Sequence, residues 1–160
     1  MGDDRLATLY ETYAPTILAL CRRLLGDKAA AEDAMHETFL RVHRHLDRAG
    51  DGRTAMVWIY RIATNYCFNQ IRDGKNEPLA VDVLPDRAGQ SLEDVLADRD
   101  FASRLIRGAP VKLRAAAWLY HVDELEQTEI ADVLEISLRT VVTRLAAFIA
   151  YARRFARRAG

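Results

Sequence analysis

Between Val57 and Asp73 the chain reads VWIYRIATNYCFNQIRD, which sets Trp58, Tyr60, Tyr66 and Phe68 among Arg61, Asn65, Asn69, Gln70 and Arg72. Aromatic faces stack on unpaired bases while arginines track phosphates, and each stacked base is worth roughly 1–3 kcal/mol, so this run suits a single nucleic-acid strand. The same residues at helical spacing also build a core. Trp58, Ile59, Ile62 and Tyr66 are expected to turn inward, leaving only some of the aromatics free.

A second run with chemical content is Gln127 to Leu145, QTEIADVLEISLRTVVTRL, which reads as two short helices joined by a three-residue turn. The first spans about Thr128 to Leu134, with Ile130, Val133 and Leu134 as its apolar stripe and Ala131 small enough for a second helix to cross closely. Ser137 caps the second, whose Val141, Leu145, Phe148 and Ile149 bury one face. Leu138, Arg139, Val142, Thr143 and Ala146 point outward, where a helix-turn-helix reaches base edges in a major groove. Glu135 stands in the turn at a position that usually needs Gly for a positive φ, at a cost of about 1 kcal/mol, and brings a negative charge near phosphates.

Other chemistry is sparse. Glu32 and His36 stand at i, i+4 and have the spacing of a metal-ligand pair, but no second carboxylate-and-histidine pair accompanies them, so neither enzyme activity nor a metal or other cofactor is expected. Cys21 and Cys67 sit inside helical patterns in no CxxC spacing and are expected to be reduced core residues. No apolar run approaches the roughly 18 residues of a membrane span, and MGDDRLATLY lacks the regions of a signal peptide. A cytoplasmic protein with no direct membrane insertion is expected.

The elements that must position these residues are helices, with no convincing β pattern. Leu6, Leu9, Tyr10, Tyr13, Ile17, Leu20, Cys21 and Leu24 recur at three and four residues up to Gly26, and Pro15 should kink or break that helix. A second helix starts after Asp27 and runs to about Leu46, and a third spans about Thr54 to Arg72, closed by Asp73 and Gly74. From Gly74 to about Gln90 there is no periodicity, which predicts a mobile linker. Ser91 and Asp94 open a fourth helix to about Arg107, and Pro110 opens a fifth through Leu113 and Tyr120.

The 160 residues carry no net charge, but the charge is unevenly placed. Residues 1–73 hold 10 basic and 10 acidic side chains, residues 74–100 hold 3 and 7, and residues 101–160 hold 10 and 6. An all-α protein of two small helical domains, 1–73 and 101–160, joined by an acidic stretch at 74–100, is the expected organisation.

Taken in order, these motifs resemble the extracytoplasmic-function (ECF) sigma factors of bacterial RNA polymerase over nearly the whole chain. AEDAMHETFLRVHRHL from Ala31 resembles region 2.2 of that family, WIYRIATNYCFNQIRD from Trp58 resembles regions 2.3 and 2.4, and Gln127 to Leu145 resembles region 4.2. The resemblance implies that Glu32, Asp33, His36, Glu37, Phe39 and Leu40 dock on the polymerase, with His36 where the family often has Gln. It implies that Arg61, Asn65, Tyr66, Asn69, Arg72 and Lys75 open and hold the minus-ten element. It places Ser137, Leu138, Arg139, Thr140, Val142, Thr143 and Arg144 at the minus-thirty-five element, with Arg153, Arg154, Arg157 and Arg158 as further cations. DGKNE from Asp73 replaces the family's basic run, and Val142 and Ala146 replace cations on the outward face, so each DNA grip is weak alone and gains strength by acting with the other. The implied partners are core polymerase, promoter DNA and an anti-sigma factor. The alternative is a degenerate sigma-like interaction protein that binds polymerase or an anti-sigma factor without reading promoters.

Overall fold

A computed structural model describes residues 2–74 and 99–159, and the described residues form helices and turns only. The acidic linker, the Ser91 helix start and Lys75 lie outside the described residues.

Helix α1 (Gly2–Leu25) runs without interruption through Pro15, where the sequence predicts a kink or break. The helix tolerates the proline because Pro15 and Glu11 are both exposed, so the Glu11 carbonyl that loses its i+4 donor lies on the solvent side. Gly26 ends α1 at φ +74°, its N–H bonded to the Arg22 carbonyl at 2.9 Å. Asp27 then caps α2 (Lys28–Arg44), accepting from the Ala30 N–H at 2.9 Å. That helix stops two residues short of Leu46, which instead begins a single 3-10 turn, Leu46–Arg48. Gly50 follows at φ +68°, where a Cβ would also meet Thr54 Cγ2 at 2.9 Å, and α3 (Gly52–Arg72) begins immediately after.

These helices bury one stripe each. Ile17, Leu20 and Cys21 of α1, Ala34 and Val42 of α2, and Ile59, Ala63 and Cys67 of α3 have no exposed surface, and each large apolar side chain among them contributes about 1.5–3 kcal/mol.

The C-terminal half consists of α4 (Arg99–Gly108), α5 (Val111–Ala117), α6 (Gln127–Leu134) and α7 (Leu138–Ala159). Pro110 precedes α5, which widens at its end into a π-helical turn, Trp118–Val122. Phe101 and Leu105 of α4 pack with Phe148, Ala152 and Phe155 of α7, the Phe101 and Phe155 rings 5.3 Å apart.

The two halves meet in one apolar core. Ile59 and Ala63 belong to the same buried cluster as Ala115, Ala116, Leu119, Leu125, Ile130 and Val133. Two contacts flank it. Buried Arg114 of α5 donates to the last carbonyls of α1, Nη1 to Arg23 O at 3.0 Å and to Leu24 O at 3.2 Å, and Nη2 reaches Ala109 O at 2.8 Å. On the other side α6 lies along α3.

Candidate nucleic-acid interface

Arg61, Asn65, Asn69 and Arg72 recur at i, i+4, i+8 and i+11 and share one face of α3. Asn65 is half-buried, Asn69 and Arg72 are exposed, and Arg72 Nε lies 3.5 Å from the neighbouring Asp73 carboxylate. Tyr66 lies on the adjoining flank toward α2, with the Arg41 guanidinium 5.3 Å above its ring. Its phenol is held above the usual range by burial, with Glu37 and Asp33 adding to the shift. Tyr60 is unavailable for stacking. It is buried, and its hydroxyl donates to Asp123 Oδ2 at 3.0 Å. Of the residues expected to turn inward only Ile59 is fully covered; Trp58, Ile62 and Tyr66 keep part of their surface.

Trp58 opens onto a cleft of about 390 Å³ that it shares with Arg48, Arg53, Thr54, Val57 and Arg61. Arg48, Arg53 and Thr54 were not among the residues singled out from the sequence, because the 3-10 turn and the helix start that place them carry no motif of their own. Their signal was the cationic, hydroxylic approach to an aromatic helix. The far wall of this cleft is Glu129 and Asp132 of α6.

The six α2 residues expected at the polymerase divide between two surfaces. His36, Phe39 and Leu40 line an apolar groove of about 670 Å³ against Leu6, Ala7 and Tyr10 of α1. Leu40 is 51% exposed there, whereas Phe39 is buried with its ring 5.0 Å from Tyr10. Asp33 and Glu37 face the other way toward Arg41 and Tyr66, with Glu37 Oε1 accepting from Arg41 Nε at 3.3 Å. Glu32 is half-buried, one turn before His36 on the same helix face.

The helix-turn-helix takes the expected form. Glu126 and Glu129 make a capping box at the start of α6, the Glu129 carboxylate accepting from the Glu126 N–H at 2.8 Å. Glu135 ends the helix in the left-handed region, φ 56° and ψ 46°, where its position in the turn requires. Ser137 Oγ accepts from the Thr140 N–H at 3.1 Å and lies 2.9 Å from the Thr140 hydroxyl, while Thr143 bonds back to Arg139 O at 2.9 Å. Ser137 and Thr140 therefore serve α7 as caps. Leu138, Arg139, Val142 and Thr143 are exposed, Arg144 is half-buried, and Arg153, Arg154, Arg157 and Arg158 are exposed farther along the same helix.

The two thiols expected to be reduced core residues are both buried and free, and they are neighbours: Cys67 hydrogen-bonds with Cys21, which with burial pushes its thiol well up.

One all-helical chain thus carries an aromatic, amide-bearing helix beside an apolar groove and a capped helix-turn-helix, the parts of a two-part helical sigma factor, and the comparisons agree. Residues 9–77 match the sigma-70 region 2 family. Over 90% of its length the chain is 32% identical to ECF RNA polymerase sigma factor SigW of Bacillus subtilis (strain 168), covering 85% of that protein. It is 28% identical to the RNA polymerase sigma-H factor of Pseudomonas aeruginosa, over 90% of this chain and 82% of that one. The sigma factor RpoE of Bartonella quintana, solved in complex with the anti-sigma factor NepR, shares the fold at a TM-score of 0.74 over 97% of both chains, with 15% identity. The chain belongs to the ECF sigma factors of bacterial RNA polymerase. Its function is that of a promoter-specificity subunit, and the relatives lend no support to the alternative of a sigma-like module that no longer reads promoters.

Proposed function

We propose that this chain directs core polymerase to promoters through three surfaces and carries no catalysis of its own. The α1–α2 groove, with His36, Phe39 and Leu40 at its wall and Glu32, Asp33 and Glu37 beside it, takes the polymerase. The α3 face takes the opened minus-ten element: Asn65, Tyr66, Asn69 and Arg72 lie along the displaced strand, Arg61 contacts phosphate, and Lys75 extends the track. The start of α7 takes the minus-thirty-five element, where Leu138, Arg139, Val142 and Thr143 face the groove, Arg144 flanks them, and Ser137 and Thr140 hold the helix end that presents them. Residues 1–73 and 101–160 are the two working units, tied by 74–100.

The observation that carries this reading is the single outward face formed by Asn65, Asn69 and Arg72 on α3 together with an uncovered recognition-helix start on α7. The work is done in the cytoplasm, where the polymerase is, and no helix among the described residues is long and apolar enough to cross a membrane. An anti-sigma factor that covers the groove and the DNA faces is the expected regulator.

Sequencing the transcripts made on genomic DNA by core polymerase with this protein tests the reading. A common element upstream of the starts is expected, and Asn69→Ala and Arg139→Ala should each lower output about tenfold, since one good base contact is worth about 1–3 kcal/mol. Unchanged transcription in both variants would sink the site assignments, and the absence of any directed transcript would sink the function.

A further inference from the structure

The two flanks of α3 use their cations differently. Toward α6, Arg53 pairs with the Glu129 carboxylate, and Arg61 donates from Nε to Asp132 O at 2.9 Å and lies 3.9 Å from Glu135 Oε1. Toward α2, the cation comes from the other helix. Arg41 of α2 reaches across the seam and sets its guanidinium over the ring of Tyr66, 5.3 Å from the ring centroid. Glu37, one turn earlier on α2, fixes that guanidinium from behind, its Oε1 accepting from Arg41 Nε at 3.3 Å.

Tyr66 depends on this contact for its orientation. The ring of Tyr60, two turns earlier on α3, is pinned through its hydroxyl to Asp123. The Tyr66 hydroxyl has no hydrogen-bond partner among the described residues, and no other aromatic ring there packs on Tyr66. What steadies the half-buried ring is the seam itself and the guanidinium above it. A planar guanidinium over one face leaves one face open, and a ring with a single open face stacks a single base. Tyr66 and Asn69 stand at i, i+3 and are neighbours on the surface of α3, so a base on the open face has an exposed amide beside its edge.

We propose that Arg41 is a positioning residue for strand capture: held by Glu37, it covers one face of Tyr66 and sets the ring so that one unpaired base stacks on the other face. The inference rests on the assignment of α3 to the minus-ten element. It gives Glu37, which faces away from the α1–α2 groove, a task on the strand side of α2. It also makes the planar fork of Arg41 matter and not its charge alone, because an ammonium on a flexible stem neither stacks on the ring nor offers Nε to Glu37.

The test uses the full chain bound to core polymerase and compares the native protein with Arg41→Lys, Tyr66→Phe, Tyr66→Ala and the double variant Arg41→Lys with Tyr66→Ala. Two readouts are taken: directed transcription on genomic DNA, and the quenching of 2-aminopurine in a single strand of mixed sequence at saturating protein, corrected for core polymerase alone. Quenching at saturation reports stacking and not affinity, so neither a lost phosphate contact nor a loosened fold moves it. Arg41→Lys should lose at least half of the quench and lower directed transcription at least fivefold, Tyr66→Phe should keep both, and Arg41→Lys should change neither once Tyr66 is Ala. A native quench or native transcription in the Arg41→Lys protein overturns the inference while leaving the promoter function standing. So does an equal effect of Arg41→Lys with and without the ring, which would make Arg41 a direct contact to phosphate or polymerase, and so does a quench that Tyr66→Ala leaves intact. If no form directs transcription, the promoter reading fails and the quench alone decides: loss in Arg41→Lys supports the positioning role and a native quench overturns it.

Discussion

The hydroxyl of Tyr60 donates a hydrogen bond of 3.0 Å to the carboxylate of Asp123, linking the middle of α3 to the connector that leads into the helix-turn-helix. Burial pushes the Asp123 carboxyl up to about 6, and the Tyr60 hydroxyl opposes that shift. The phenol of Tyr60 is itself raised, first by its own burial and then by the negative charge of Asp123.

A pH dependence follows from that pair. A carboxyl raised in the fold holds its proton more tightly than in the unfolded chain, so its contribution is complete below pH 3.8 and is lost as the pH rises through about 6. Asn at this position keeps an acceptor for Tyr60 and removes the titration. Urea unfolding at pH 4.5 and 7.5 should therefore show Asp123→Asn gaining on the native protein as the pH rises. The comparison cancels Glu129, which Arg53 holds below its usual range, and His121, which burial lowers, because both titrate in both proteins. A difference that does not vary with pH would contradict the assignment.

Arg114 is expected to be the most sensitive cation in the chain. Its guanidinium is the donor for carbonyls of Arg23, Leu24 and Ala109, so a substitution strands buried acceptors as well as removing hydrogen bonds. Burial lowers its pKa, which fits a charge held among dipoles without a carboxylate contact. Arg114→Met should destabilise the protein by about 2–4 kcal/mol. Arg114→Lys should recover only part of this, because one ammonium cannot span both faces of the fork. Thermal unfolding of the three proteins settles the order.

Glu135→Gly removes a side chain from φ 56° and an ion pair at 3.9 Å on partly exposed groups. Relief of an L-residue from the left-handed region, roughly 1–2 kcal/mol, exceeds the worth of such a pair, so the variant should melt a few degrees higher. A fall of several degrees in calorimetry would show that the pair outweighs the strain.

Leu40→Asp places a carboxylate in the α1–α2 groove at a side chain already 51% exposed. Stability should change by less than about 0.5 kcal/mol, while affinity for core polymerase falls at least tenfold. Native affinity in a pull-down or in biolayer measurements would move the polymerase site away from this groove.

Much of this architecture was legible in advance because its signals are local. Asp27, Ser137 and Pro110 mark helix starts through hydrogen bonds that reach three residues or through a fixed φ, and all are found as read. Glu135 was legible as the left-handed residue of the turn for the same reason. Pro15 was misread because the rule that proline breaks a helix depends on whether the orphaned carbonyl can reach water, and Pro15 is exposed. Arg48 and Arg53 went unmarked because nothing in their neighbourhood says which element faces them.

What the sequence determined by itself was the all-helical class, several capped helix starts and the family, since periodicity, caps and motif order are properties of adjacent residues. Only the tertiary structure decided that Arg61 meets Asp132 and Glu135 across 71 and 74 positions, that Arg114 closes the end of α1, and that Cys21 and Cys67 touch. Those pairings depend on which apolar stripes find one another in the shared core. Every helix here offers such a stripe, and the choice among partners is made by the shape and charge of whole faces, which no local pattern records.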